Sequence, residues 1–205
     1  MGALNIAIVG SGPSGMYAAR KILEKFPNVT LAIFEKQKMP FGLLRSGVSA
    51  DHPELKITCQ GLRRIIRDDR VFYFGNLTFP GDLHVAKYFH AVVDATGGSR
   101  SNRVDVFDYN APNVFDSQQF IEWTLGLNCN RKLEQSIFGC KDISVVGLGN
   151  VALDTARFLL SSPNNYDLSY TGKSALRYLA LNTTKNVRVF GRRDHTNVPV
   201  FAFNP

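Results

Sequence analysis

The first hundred residues alternate between short apolar runs and longer stretches whose apolar residues recur every third or fourth position. "LNIAIVG" (4–10) is an apolar run of the kind that a strand buried on both faces requires. "PSGMYAARKILEKF" (13–26) has helical spacing, with Pro13 tolerated in the first turn. "VTLAIFE" (29–35) predicts a second strand. The three pieces make a strand–helix–strand unit, which demands the right-handed crossover of a parallel sheet. "PELKITCQGLRRIIR" (53–67) predicts a helix opened by Pro53, and "VFYFG" (71–75) and "HAVVDATGG" (90–98) predict further strands.

A loop rich in Asn and Asp (101–113) reads as a connection between domains. "DSQQFIEWTLG" (116–126) predicts a helix capped by Asp116 or Ser117. Strand, turn and helix then restart in "DISVVGLGNVALDTARFLL" (142–160). A polar loop (161–170), a helix "GKSALRYLAL" (172–181) and a strand "VRVFG" (187–191) follow. The repeated element is the strand–helix–strand unit, which makes the expected class α/β.

Each unit carries a glycine-rich turn between its first strand and its helix. In "IAIVGSGPSG" (6–15), Gly10 permits the tight turn, Gly12 lets backbone N–H groups approach a pyrophosphate, and Gly15 lets helix and strand pack closely. The helix N-terminus then offers unpaired donors and partial positive charge to phosphates. One such turn is weak evidence, but Glu35 ends the next strand at the spacing of a ribose ligand. Its charge would repel a 2′-phosphate, so this cradle suits FAD or NAD. In "VVGLGNVALD" (145–154) the turn glycines are Gly147 and Gly149, with Ala152 at the third small position. The following strand ends in Gly191-Arg192-Arg193, two guanidiniums where the first unit has an acid. Paired charged donors suit a phosphate, so this cradle suits NADP; the plain alternative is a solvated basic strand end. An FAD-type and an NADP-type site in one chain imply hydride transfer between nicotinamide and flavin.

Composition narrows the setting. Of 205 residues, 44% are hydrophobic and 20% charged, enough for a buried core. No apolar run is long enough for a transmembrane helix. The net charge of +7 favours acidic partners, but the charges are interleaved with acids, so nucleic acid is not expected. Cys59, Cys129 and Cys140 share no metal-ligand spacing, and their odd number argues for a reducing compartment. No presequence is visible before the first strand.

The residues between the cradles extend this picture. "FEKQKMPFGLLRSGVSADHPELK" (34–56), then "FYFGN", "YFHAVV", "VFDSQQFIEW", "GLGNVALDTARFLL" and "VFGRR", resemble the adrenodoxin reductases in wording and order. The resemblance, from about residue 4 to 200, implies a mitochondrial NADPH–ferredoxin reductase with a glutathione-reductase-like fold. It implies FAD contacts at Ser14, Glu35, Leu43 and Phe79, and NADP contacts at Leu148, Gly149, Asn150, Val151, Arg192 and Arg193. Phe79 and Leu148 depart from the family's usual small aliphatic and amide side chains. It also implies that His52 and Asp154 form a polar relay near the flavin, although a His at that position equally suits a helix start. His84, His90 and His195 read as structural or solvated, and Trp123 as packing.

Family members are longer than this chain. The expected architecture is two Rossmann-like dinucleotide-binding units with parallel sheets and flanking helices, the second incomplete. Residues 1–100 form the N-terminal part of an FAD domain, 101–113 the connection, and 114–205 the first part of an NADP domain. The implied partner is an acidic ferredoxin or adrenodoxin. The implied location is a mitochondrion or a derived organelle, otherwise the cytosol. An open sheet edge in the second unit raises three alternatives: these residues are part of a longer chain, a second chain or larger assembly completes the fold, or a shortened relative serves as a non-catalytic structural subunit.

Overall fold

The computed structural model describes residues 4–78, 86–98, 107–166 and 170–192. The chain forms two compact units, Met1–Gly47 with Pro53–Arg100, and Val48–His52 with Ser101–Pro205.

In the first unit, β1 (Leu4–Val9), β2 (Val29–Glu35), β3 (Val71–Gly75) and β4 (Ala91–Asp94) form a parallel sheet in the order β3-β2-β1-β4. Register runs from Leu4 opposite Val29 to Val9 opposite Phe34, and β4 begins opposite Ile6. The central strands are apolar because both faces are covered. Their core joins Ile6, Ile8, Leu31 and Ile33 to Met16, Ala19 and Leu23 of α1 (Pro13–Lys25) and to Leu62 and Ile65 of α3 (Pro53–Ile66). One turn of helix, α2 (Leu43–Ser46), lies between them in sequence; four residues are too few to show a period. The strand order reverses at β1, so the carboxyl ends of β1 and β4 flank the crevice where ligands of such sheets bind.

In the second unit, α4 (Ser117–Thr124), α5 (Arg131–Ile137), α6 (Asn150–Leu160) and α7 (Lys173–Ala180) accompany β5 (Asp142–Val146) and β6 (Asn186–Phe190). The two strands pair in parallel, Asp142 opposite Asn186 through Val146 opposite Phe190. Neither contains a fully buried residue. The core is helical and aromatic instead. Trp123, 1% exposed, meets Phe120, Phe158 and Tyr178 edge-on or tilted, and its Nε1 donates to Glu134 at 2.9 Å. Trp123 is thus a packing residue. Asp116 caps α4 by accepting from Gln118 N at 2.7 Å. The helix α5, absent from the periodicity reading, is capped by Asn130 and buries Leu133 and Ile137. It helps supply the core that two strands lack.

Candidate functional site

The first cradle is built to its packing limit. Gly10 has φ +101°, and a Cβ there would lie 2.3 Å from Ala95 O at the end of β4. A Cβ on Gly15 would lie 2.1 Å from Gly10 O, so α1 approaches the turn more closely than any other residue permits. Gly12, by contrast, faces open space and begins α1 without a side-chain cap. No side chain therefore caps the first turn of α1, and uncapped N–H groups at a helix start are the arrangement that receives an anion.

Glu35 is held before any ligand arrives. Its Oε2 accepts from Ser11 N at 2.9 Å and Ser11 Oγ at 2.6 Å, and its Oε1 accepts from Gln37 N at 2.9 Å. A carboxylate offers about four acceptor positions, so one remains on Oε1. Glu35 thus keeps room for one further donor. Above this turn, Phe41 N donates to Ser11 O at 3.0 Å, and Phe41 is buried at φ +84°. A side chain in that region is strained and persists only where the surroundings enforce it. The strain brings Gly42 against Gly12 and leaves Leu43 60% exposed at the start of α2. Ser14 is also exposed.

The second cradle is looser. Gly147 has φ +128°, and its Cβ would sit 3.7 Å from Ala152 Cβ, an ordinary contact that lets alanine replace the third glycine. Gly149 faces open space and begins α6 without a side-chain cap. Asn150 and Val151 follow in the first turn. Leu148 folds over Gly191 so closely that a Cβ on Gly191 would overlap its side chain. The floor between the turn and the end of β6 is therefore apolar. Arg192 stands exposed just past it. Phe79, Arg193, His84 and His195 lie outside the described residues. His90 is structural: its Nδ1 accepts from Asn5 N at 3.0 Å.

His52 and Asp154, far apart in sequence, meet in the second unit, with His52 Nε2 3.2 Å from Asp154 Oδ1. Arg157, one turn along α6 from Asp154, completes the cluster. Its Nε donates to Asp51 Oδ2, and its Nη2 lies 2.7 Å from Asp154 Oδ1 and 2.9 Å from His52 Nε2. Burial raises the Asp51 pKa, but the Ser49 hydroxyl, the Arg157 guanidinium and His52 outweigh it and hold the carboxyl below its ordinary value. Burial, reinforced by Asp51, pushes the Tyr166 phenol up to about 12, so it stays neutral beside the cluster. Arg157 escaped the sequence reading, although its helical spacing from Asp154 places the two on one face. Ser11 and Phe41 also escaped it, because their roles come from tertiary contacts.

Residues 8–68 match the family described as NAD(P)-binding Rossmann-like domain. The mitochondrial NADPH:adrenodoxin oxidoreductase of Bos taurus is 37% identical over 191 residues, covering 92% of this chain and 39% of that protein. Its counterpart in Homo sapiens is 36% identical, covering 92% and 38%. The structure of Mycobacterium tuberculosis FprA in complex with NADPH is similar with TM-score 0.86 and 28% identity, over 97% of this chain and 46% of that one. The chain spans less than half the length of each of these relatives. Its sheet order, paired cradles and Rossmann-like match define a dinucleotide-binding α/β protein. Over the 191 residues it shares with the bovine protein, the chain is similar to the adrenodoxin reductases.

Proposed function

We propose that this chain carries the nucleotide-binding machinery of a flavoprotein oxidoreductase that moves electrons from NADPH through FAD to a ferredoxin- or adrenodoxin-type iron–sulfur protein. The observation that carries the reading is the opposite chemistry at two matching strand ends. Glu35 closes the first cradle with a fixed carboxylate and Arg192 closes the second with an exposed guanidinium.

In the first cradle Gly12 and Ser14 present backbone N–H groups to a pyrophosphate, Glu35 accepts a ribose hydroxyl on its spare position, and Leu43 offers apolar surface. In the second, Gly149, Asn150 and Val151 present the first turn of α6, Leu148 floors the site, and Arg192 with its sequence neighbour Arg193 reads the 2′-phosphate. Phe79 is assigned to the flavin side by family wording alone. His52 and Asp154 form the polar relay. FAD supplies the conversion between two-electron and one-electron transfer when bound. The net charge of +7 suits docking of an acidic iron–sulfur protein by electrostatic steering. A mitochondrion or a derived organelle is the corresponding location.

One observation favours a second reading, a structural subunit with inherited cradles: Leu148 covers Gly191 with hydrocarbon where the family places an amide. Two measurements decide between them. The purified protein should carry flavin absorbance that denaturation releases; a colourless protein favours the structural subunit. Replacing Arg192 and Arg193 by Ala should weaken NADPH binding by about 2–4 kcal/mol, at about 1.5–2 kcal/mol for each charged hydrogen bond. NADH binding should be unchanged. Equal loss for both nucleotides would remove the phosphate-reading role.

A further inference from the structure

We propose that Arg157 sets the tautomer of His52, keeping Nε2 free of a proton and thereby making it the ring's proton acceptor. The argument is a count of donors. The terminal nitrogen Nη2 carries two hydrogens, and two acceptors lie within reach: Asp154 Oδ1 at 2.7 Å and His52 Nε2 at 2.9 Å. With Nε2 bare, one nitrogen satisfies both. A guanidinium only donates, so a hydrogen on Nε2 would confront an Arg157 N–H at 2.9 Å with no acceptor on that side. The geometry places the proton of the neutral ring on Nδ1. Arg157 is held in this pose through Nε, which donates to Asp51 Oδ2. It is therefore a positioning residue, acting on His52 from outside the cradles.

Two carboxylates, Asp51 and Asp154, face the one guanidinium of Arg157, and Tyr166 adds no charge because its phenol is pushed up to about 12. Any use of the bare nitrogen in proton transfer rests on the oxidoreductase reading; the tautomer does not.

The test is nitrogen-15 spectroscopy of the full chain labelled at histidine, near pH 8.5, well above the ordinary imidazole pKa of about 6.5. Only four histidines contribute, and His52 is assigned by the signals lost in His52→Gln. In the wild type, Nε2 of His52 should be pyridine-like and Nδ1 proton-bearing. In Arg157→Met the majority proton should move to Nε2, facing Asp154, and in Arg157→Lys, which retains a cationic donor, it should stay on Nδ1. A wild-type Nε2 that bears the proton overturns the proposal, as does an unchanged tautomer in a folded Arg157→Met. If Arg157→Met does not fold, Asp51→Asn replaces it: loosening the anchor should raise the Nε2–H population, and no change overturns the proposal. No nucleotide is needed, so a colourless protein would sink the oxidoreductase reading while leaving this result standing.

Discussion

A carboxylate that is almost buried yet ionised depends on its donors, and Asp51 is such a residue. Its ionised form is favoured in the folded chain because the Ser49 hydroxyl and Arg157 outweigh the cost of burial, which puts its folded pKa below the ordinary 3.8. The sign follows: its contribution is full above the unfolded value and is lost as pH falls through the folded one. Acid titration should therefore destabilise the second unit progressively below about pH 4, and Asp51→Asn should flatten that slope while lowering stability at pH 7. Equal slopes for the two proteins in urea titrations would show that Asp51 gains nothing from Arg157. Much of this cluster was legible in the sequence: "DHPE" and "GNVALD" pointed to His52 and Asp154. That the two would touch was not legible, because the contact spans 102 positions and depends on residues 48–52 joining the second unit.

At the scale of elements the two cradles are the same motif at different tightness. In the first, Gly15 lies so near Gly10 O that a methyl group has no room; in the second, Ala152 already carries one. Gly15→Ala should then push α1 off the sheet and cost about 1–3 kcal/mol, the usual range for overpacking. Ala152→Gly should cost only the lower helix propensity, about 0.5–1 kcal/mol. Denaturant midpoints at constant slope would measure both, and equal costs would contradict the difference in approach. Strands and long helices were legible because burial imposes a period on them, and the glycine spacing located both turns. The short helices were not. A single turn such as α2 has no period, and α5 announces itself only by Asn130 and the pair Leu133 and Ile137. The pose of Glu35 was half legible: the carboxylate at the strand end was expected, but its use of Ser11 and Gln37 as donors required the fold.

At the scale of the whole molecule, each unit owns its core. Strands and helices share the first, around Ile8, Leu31 and Met16, whereas aromatic side chains from helices dominate the second, around Trp123, Phe158 and Tyr178. α4 and α5 contribute residues to the second core from before the repeated motif. Separate cores make ligand binding a local event. NADPH bound at the second cradle stabilises the unit that holds it by RT ln(1 + [L]/Kd), about 2.7 kcal/mol at a hundredfold excess over Kd. Amide hydrogen exchange should register this as a slowing of roughly a hundredfold for globally protected amides of β5 and α6, with β1 and α1 little changed. If Arg192 reads the 2′-phosphate as proposed, NADH at the same concentration should protect less, because it lacks that group. Flavin should give the reverse pattern, slowing β1, β2 and α1. Protection of β1 and α1 by NADPH would exchange the two cradles, and Glu35 would then have to tolerate a phosphate that its charge opposes.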